Sequence, residues 1–285
     1  MSGASKAAPV LTLGETLQRA TLYFEKHGIE SARLDAELII GHVLGMERIA
    51  LYTETDKPLT VKERAQLREP VKRRSEREPV AHIIGERAFR RLDIKVTPAV
   101  LIPRPETETL VEWATEVLPD RARVLDWGTG SGAIALALAT ERRDLRVVGV
   151  DRSVAALAVA TENAEKSRAN VHFEESDGFA ILEGHKIDAI VANPPYLSEA
   201  EYEDAPPELA YEPRDALVAG PKGDEIITSI IKDAPTYLNE EGWMIMEVGA
   251  GQAEGALELM DEVGFKDSDV RHDLAGIARV VGGHV

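Results

Sequence analysis

Cysteine is absent from the 285-residue sequence. This absence excludes disulfide bonds, thiolate nucleophiles and cysteine-ligated metal sites. Long apolar runs are missing too, since no stretch approaches the ~18 uninterrupted apolar residues of a membrane span. Residues 1–9 contain neither the apolar core of a secretory signal nor the arginines of a transit peptide. We therefore expect a cytoplasmic protein that does not associate with membranes.

Positive charge is scarce as well, because 33 Lys and Arg stand against 50 Asp and Glu, a formal net charge of -17 at pH 7. The phosphate backbone would repel most of such a surface, so nucleic acid is not an expected partner. Residues 61–95 differ, with 11 Lys and Arg against 6 Asp and Glu. This local excess fits either a solvated helix face or a docking surface for an acidic protein. The seven histidines show no His-x-x-x-His pairing, and no metal site is predicted.

The pattern of residues 1–85 predicts a small helical domain. Thr12 with Glu15, and Thr60 with Glu63, fit capping boxes, in which both side chains bind free backbone N–H groups at a helix start. A second helix is predicted between them from apolar residues at helical spacing and a glycine stop signal. This set consists of Leu34, Leu38, Val43 and Gly45.

Residues 86–105 have the pattern of a connector between two domains. Leu92, Ile94 and Val96 alternate with polar residues, as in a β-strand. Arg90-Arg91 precedes this strand and fits the turn of a β-hairpin. Three prolines between residues 98 and 105 then interrupt regular structure.

From Glu106 onward, β-rich runs alternate with helical stretches. This alternation predicts an α/β domain over residues 106–285, with a parallel sheet covered on both faces. The predicted strands are Arg123–Trp127, Arg146–Asp151, Val171–Glu174, Ile187–Ala192 and Trp243–Val248. The predicted helices include Ala133–Thr140 and Val154–Lys166.

A glycine-rich loop follows the first predicted strand. Glycine lets a backbone turn tightly and approach a ligand, and ligands of open α/β sheets bind beyond the carboxyl ends of the strands. The next strand ends at Asp151, where a carboxylate can accept hydrogen bonds from both hydroxyls of a ribose. The pattern indicates a nucleotide or adenosyl cofactor, with a packing turn or a dinucleotide site as alternatives. The loop consists of Gly128, Thr129, Gly130, Ser131 and Gly132.

The fourth predicted strand, Ile187–Ala192, ends in Asn193-Pro194-Pro195-Tyr196. The prolines favour extended geometry in the residues before them and remove two backbone donors. A rim of acceptors remains, made of the Asn193 side-chain oxygen and the carbonyls of Asn193 and Pro194. Such a rim suits a planar NH2 group, and Tyr196 adds an aromatic face. A rigid turn is the alternative interpretation of Pro-Pro alone.

Together these motifs resemble a class I S-adenosylmethionine-dependent methyltransferase, and Asn-Pro-Pro-Tyr is similar to the signature of those that methylate planar nitrogens. The wider match resembles the peptide chain release factor glutamine methyltransferases, the PrmC/HemK family, over essentially the whole chain. Glu106 departs from that family's pattern, which often has Asp there. The matching segments are Leu101–Glu108, Asp126–Leu136, Tyr211–Leu217 and Asp273–Val280.

The resemblance implies a Rossmann-like methyltransferase domain at residues 106–285, joined by a β-hairpin to an N-terminal helical bundle that binds substrate. It implies S-adenosylmethionine as cofactor and the glutamine of the Gly-Gly-Gln motif of release factors as substrate. Such an enzyme acts in translation termination, and we expect a monomer.

The resemblance also implies a role for each motif residue. Gly128 to Gly132 would wrap the amino-acid part and sugar of the cofactor, Asp151 would hold the ribose and Asp177 the adenine amine. Many members place an aromatic residue against the adenine next to that acid; here Gly178 stands there, and Phe179 is the candidate replacement. The implied substrate edge consists of Asn193, Pro194, Pro195 and Tyr196. Of these, Asn193, Pro194 and Tyr196 are the implied catalytic residues, and Asn193 also borders the cofactor.

Two other classes of enzyme share part of this pattern. A nucleic-acid exocyclic-amine methyltransferase shares Asn-Pro-Pro-Tyr, but the net charge argues against it. A nicotinamide-dependent dehydrogenase shares the glycine loop, but it leaves residues 193–196 without a role. A protein that binds the cofactor without catalysis is the third alternative.

Overall fold

The computed structural model of the protein describes residues 11–285, so the predicted absence of a leader at residues 1–9 lies outside the described part. The chain divides into two compact units, of which the first ends at Gly85 and the second begins at Glu86. Within residues 11–285, no helix combines the length and the apolar character that a membrane span requires.

The first unit is helical, as predicted. Both capping boxes are present, because the hydroxyls of Thr12 and Thr60 accept from the backbone N–H groups of Glu15 and Glu63, whose carboxylates bind back. The core consists of apolar side chains from several helices. The helices are α1 (Leu13–Lys26), α2 (Ala32–Leu44), α3 (Arg48–Thr53), α4 (Val61–Ser75) and α5 (Val80–Ile84).

Helix α2 is present and ends at Gly45 as predicted, with φ of 63°, but not every apolar residue of the predicted spacing faces the core. Leu34 is 42% exposed, whereas the carboxylates of Asp35 and Glu37 are buried. Asp35 can face inward because Arg74 pairs with it at 2.7 Å in the interior. A buried charge is tolerated where a partner and hydrogen bonds satisfy it, so the buried face of α2 combines paired acids with apolar side chains at helical spacing.

The predicted β-hairpin is present and belongs to the second unit. Strands β1 (Glu86–Phe89) and β2 (Leu92–Lys95) are antiparallel, with Arg90-Arg91 as the turn. The carboxamide of Asn163 fixes the hairpin, since it exchanges hydrogen bonds of 2.8 and 3.0 Å with the backbone of Lys95. The same Nδ2 donates to the Ser131 carbonyl at 2.9 Å, which links the hairpin to the glycine loop.

The second unit is built on a seven-stranded sheet in the order β10-β11-β9-β6-β3-β4-β5. Its first half contains α6 (Thr107–Val117), β3 (Arg123–Trp127), α7 (Ala133–Glu141), β4 (Arg146–Asp151), α8 (Val154–Ser167), β5 (His172–Glu175) and β6 (Ile187–Ala192). Its second half contains β7 (Leu197–Ser198), α9 (Glu199–Glu203), β8 (Val218–Gly220), α10 (Glu225–Tyr237), β9 (Leu238–Glu247), α11 (Ala253–Glu262), β10 (Lys266–His272) and β11 (Ala278–His284).

Three of the predicted strands, β3, β4 and β6, match the structure residue for residue. β5 is shifted by one residue, and β9 begins five residues earlier than predicted, at Leu238. These five strands pair in parallel, β5 with β4, β4 with β3, β3 with β6 and β6 with β9. β10 and β11 form an antiparallel hairpin at one edge, which the sequence pattern did not predict.

The order of the strands places the site. The chain runs outward from β3 to β4 and β5, then returns to place β6 on the other side of β3, so the connections diverge between β3 and β6. Ligands of such sheets bind at this divergence, beyond the carboxyl ends of the strands. Trp127 at the end of β3 pairs with Val150 and Ala192, so the segments after β3, β4 and β6 lie side by side at one edge.

Candidate active site

The glycine loop after β3 has a left-handed backbone at Gly128, Gly130 and Gly132, with φ of 70°, 54° and 82°. A Cβ at Gly128 would meet nothing within 4 Å in the described chain, and one at Gly130 only the Gly128 carbonyl at 3.9 Å. A Cβ at Gly132 would meet the Phe173 ring at 3.0 Å. The first two glycines therefore leave open space for a ligand, whereas the third is needed for packing.

A buried carboxylate at Asp126 holds the loop from beneath. Its Oδ2 accepts from the Thr129 hydroxyl at 2.6 Å and from the Ala135 backbone N–H at 3.1 Å. Its Oδ1 is buried and has no hydrogen-bond partner within residues 11–285. Burial raises the pKa of Asp126 to about 7, against the opposing effect of the two hydrogen bonds. A buried oxygen without a partner beneath the glycine loop fits a donor on a ligand.

Asp151 lies at the end of β4, directly against the glycine loop. Its Oδ2 accepts from the Gly130 N–H and its Oδ1 from the Ser153 N–H, both at 2.9 Å. A carboxylate oxygen can accept a second hydrogen bond, so each retains capacity for a hydroxyl. The exposed Asp177 follows the neighbouring strand β5, whose end is tied to β4 by the Ser176 N–H at 3.1 Å from the Asp151 carbonyl.

The structure gives Phe179 a core position beside Gly178. Phe179 is only 7% exposed, and its ring stacks on Tyr237 with centroids 4.9 Å apart. The indole of Trp127 lies beside Gly178, since a Cβ at Gly178 would lie 3.5 Å from its Nε1. That nitrogen is buried without a partner in the described chain. Trp127, which the sequence pattern did not single out, is the better candidate for the aromatic contact.

Asn193 follows β6 beside the same loop. Its Nδ2 donates to the Thr107 hydroxyl at 3.1 Å. Its Oδ1 is buried and accepts no hydrogen bond from any described residue. A buried acceptor without a donor costs free energy, on the order of 1–3 kcal/mol, unless a ligand or water satisfies it. The acceptor that the sequence predicts at this strand end is therefore available.

Glu247 at the end of β9 completes the site, and the sequence pattern did not identify it. The Thr107 hydroxyl donates to its Oε2 at 2.6 Å, and the Tyr196 hydroxyl lies 3.5 Å from its Oε1. Burial raises the pKa of Glu247 to about 7, although the Thr107 bond and the charge of Arg279 oppose this shift. Burial and the nearby Glu247 raise the pKa of Tyr196 to about 12, so Tyr196 remains a protonated phenol at neutral pH.

Tyr196 is fixed through its backbone as well. The Gln252 side chain donates to the Tyr196 carbonyl at 3.0 Å and to the Gly223 carbonyl at 3.1 Å. Gly223 has φ of 89°, and a Cβ there would lie 2.9 Å from the Tyr196 carbonyl oxygen. These contacts make residues 193–196 a fixed edge of the site.

The remaining motif segments support the residues around this edge. Glu212 accepts from the Ile102 N–H at 2.8 Å and from the Arg104 guanidinium at 2.6 Å, just before Thr107. Asp273 pairs with Arg279 at 3.2 Å. The two acids thus hold the segment that carries Thr107 and the arginine that acts on Glu247.

The raised pKa values of Asp126 and Glu247 predict how stability depends on pH. Because both groups bind protons more tightly in the folded state, their contribution is fully present below about pH 4 and is lost as pH rises to about 7. For Glu247→Gln, we expect the difference in the free energy of unfolding between pH 5 and pH 8 to shrink by roughly 1–3 kcal/mol. Urea unfolding at both pH values measures it, and an unchanged difference would contradict the shift.

Comparisons with known proteins give a consistent result. A family model described as "PrmC N-terminal domain" matches residues 15–85, and one described as "Methyltransferase small domain" matches residues 106–220. The release factor glutamine methyltransferase of Geobacter sulfurreducens is 43% identical over 277 residues, 97% of this chain and 98% of the relative. The protein of the same name from Coxiella burnetii is 41% identical over 255 residues, 88% of this chain and 91% of the relative.

The solved structures include similar folds. One is the 16S rRNA methyltransferase RsmC of T. thermophilus, in a complex with AdoMet and guanosine. It is 20% identical, with a TM-score of 0.52 over 70% of this chain and 49% of that chain. At this identity the likeness shows a similar fold and not a shared substrate.

Proposed function

Since the chain belongs to the family of release factor glutamine methyltransferases, we propose that it methylates the side-chain amide nitrogen of the glutamine in the Gly-Gly-Gln motif of peptide chain release factors. S-adenosylmethionine is the proposed methyl donor. The observation that carries the proposal is the buried Asn193 Oδ1, which accepts no hydrogen bond from the described chain. Asn193 is the first residue of the fixed edge, residues 193–196, beside the glycine loop.

The residues after β3 and β4 fit this cofactor. The open space above Gly128 and Gly130 can take its amino-acid part, and the buried Asp126 Oδ1 is an acceptor for an ammonium group. Asp151 has lone pairs for the ribose hydroxyls, and Asp177 and Trp127 border the adjoining space. When bound, S-adenosylmethionine supplies an electrophilic methyl group on a sulfonium.

The substrate edge addresses the weakness of an amide nucleophile, whose nitrogen lone pair is delocalised into the carbonyl. The Asn193 Oδ1 and the Pro194 carbonyl would accept the two amide hydrogens and aim the nitrogen at the cofactor site. Positioning of this kind can supply up to ~7–11 kcal/mol of a reaction barrier. These hydrogen bonds strengthen as positive charge develops on the nitrogen, so they favour the transition state over the ground state.

Pro195 and Tyr196 would act without exchanging protons. Pro195 contributes no N–H that would compete for the acceptors. The pKa of Tyr196, raised to about 12, keeps its hydroxyl protonated, so the hydroxyl remains a donor toward Glu247. The ring of Tyr196 would support the substrate amide. The excess amide proton would leave to solvent after the nitrogen–carbon bond has formed.

We assign substrate binding to residues 1–85, the connection to residues 86–105 and catalysis to residues 106–285. The enzyme would act as a cytoplasmic monomer in translation termination, with release factors as partners. The net charge of -17 supports a protein substrate over a nucleic acid.

The proposed function is tested by mass spectrometry of a release factor incubated with the protein and S-adenosylmethionine. We expect the Gly-Gly-Gln peptide to gain the mass of one methyl group in place of one hydrogen. A release factor with Glu in place of that Gln is the control and should gain nothing. If the glutamine stays unmodified while an RNA or DNA added in parallel is methylated at a base amine, the proposed substrate is wrong.

A further inference from the structure

A buried chain of hydrogen bonds connects the substrate edge to a carboxylate that does not itself border the Asn193 acceptor. The Asn193 Nδ2 donates to the Thr107 Oγ1 at 3.1 Å, and the Thr107 hydroxyl donates to the Glu247 Oε2 at 2.6 Å. Thr107 and Glu247 are almost completely buried, at 3% and 1% exposure. The three residues come from the start of α6 and from the ends of β6 and β9.

The direction of this chain is determined by its carboxylate end. An ionised Glu247 can only accept, so the single hydrogen of the Thr107 hydroxyl points toward it. The Thr107 oxygen then has only lone pairs to offer Asn193, and the Asn193 carboxamide must turn its NH2 toward Thr107. Its oxygen is thereby turned away, into the position where it has no partner among residues 11–285.

The opposite carboxamide orientation is disfavoured by the same groups. With Asn193 flipped, the Oδ1 would face the Thr107 oxygen, and the hydroxyl hydrogen could not serve both that oxygen and Glu247. The Asn193 NH2 would lose its acceptor, while one buried oxygen would still lack a donor, so the flipped form leaves more buried polar groups unsatisfied than the observed form. The flipped form would also present an NH2 to the substrate, which repels an amide NH2 and attracts a carboxylate.

We propose that Thr107 and Glu247 are positioning residues that lock the Asn193 carboxamide with its oxygen toward the substrate, and that this lock makes the site select a carboxamide over a carboxylate. The inference rests on the proposed function, which it deepens by assigning the source of glutamine selectivity. It does not require either residue to touch the substrate.

The surroundings of Glu247 make the lock sensitive to pH. The charged and titratable groups that act on it are Arg279 on β11, Glu106 just before α6 and the Tyr196 hydroxyl after β6. Burial and, less strongly, the charge of Glu106 raise the pKa of Glu247 to about 7, against the opposing effects of Thr107, Arg279 and Tyr196. A protonated Glu247 can donate to Thr107, which frees the Thr107 hydroxyl to donate to a flipped Asn193. Selectivity should therefore increase as pH rises through about 7.

The experiment compares Thr107→Val, Thr107→Ser and Glu247→Gln with the wild type. Valine keeps the shape of threonine without the hydroxyl, serine keeps the hydroxyl, and glutamine can donate to Thr107 at every pH. The matched control is Thr115→Val, further along α6, where the hydroxyl donates to the Glu112 carbonyl. Calorimetry measures the binding of Gly-Gly-Gln and Gly-Gly-Glu peptides at pH 6 and pH 8 in the presence of S-adenosylhomocysteine.

In the wild type at pH 8, we expect the Gln peptide to bind at least ~10-fold more tightly than the Glu peptide, because a site built around a hydrogen bond rejects the analogue that cannot make it. This ratio should fall several-fold in Thr107→Val, and should persist in Thr107→Ser and Thr115→Val. The wild-type ratio should decrease from pH 8 to pH 6, whereas that of Glu247→Gln should not change.

Two results overturn the inference in different ways. If the wild type selects Gln and the Thr107→Val variant selects it equally well, the positioning role is wrong while the proposed function stands. If the wild type binds neither peptide or prefers the Glu peptide, the proposed function fails together with the lock. Binding of S-adenosylhomocysteine to each variant reports that it is folded, so a loss of selectivity cannot be mistaken for unfolding.

Discussion

Replacement of Asn193 by alanine is expected to lower kcat for methyl transfer by roughly 10²–10³-fold, the usual cost of removing one preorganised hydrogen-bonding group from a transition state. The substitution removes the acceptor Oδ1 that has no donor in the described chain, together with the bond to Thr107. The cofactor contacts proposed for Gly128, Gly130 and Asp151 do not involve this side chain. Affinity for S-adenosylmethionine should therefore be largely unchanged.

Turnover of a release factor substrate and calorimetric titration with the cofactor measure the two quantities separately. Asn239→Ala is a matched control, because that carboxamide binds Asp188 at the opposite end of the sheet. Wild-type turnover in Asn193→Ala would remove Asn193 from the catalytic site. An equal loss in Asn239→Ala would show that the effect comes from general destabilisation.

Replacement of Asp151 by alanine is expected to weaken the binding of S-adenosylmethionine by roughly 10–100-fold, since hydrogen bonds to a charged group contribute about 1.5–3 kcal/mol. Two losses combine in this variant. The ribose hydroxyls lose their acceptor, and the Gly130 N–H loses the carboxylate that holds the glycine loop at 2.9 Å. At saturating cofactor, kcat should recover most of its wild-type value, because Asp151 does not border the substrate edge.

Calorimetry gives the dissociation constant, and initial rates over a range of cofactor concentrations give KM and kcat. Asp144→Ala is the control, because Asp144 pairs with Arg142 before the start of β4, at the far end of the strand. An Asp151→Ala variant with the wild-type dissociation constant would contradict the assignment. The dissociation constant of Asp151→Asn should lie between those of the wild type and Asp151→Ala, since an amide oxygen can still accept from Gly130.

The strands of the sheet could be predicted from the sequence where most of their residues are buried. They could not be predicted where most of their residues are exposed. β3, β4 and β6 are short apolar runs with polar ends, and their bounds can be read from the sequence. β10, Lys266–His272, is an edge strand with mostly polar and partly exposed residues, so it has no hydrophobic period to detect. In α2, the buried Asp35 is explained by Arg74, a partner 39 positions away that helical spacing cannot reveal.

The site shows the same division. Asn193 and Asp151 are predictable because each directly follows a recognisable strand. Thr107 is not, because in the sequence it is only a residue near the start of a helix. Its partner Glu247 does leave a signal, as the one charged residue within the apolar strand Trp243–Val248. Asp126 leaves a similar signal as the one acid in Arg123–Trp127, and a lone acid near the carboxyl end of a buried strand is therefore worth testing as part of a site.

The link between Thr107 and Glu247 spans 140 positions of the chain. During synthesis, the glycine loop, Asp151 and Asn193 all leave the ribosome before Glu247 does. Because β6 and β9 are neighbouring strands of the sheet, the proposed orientation of Asn193 can form only once β9 has folded beside β6, late in synthesis.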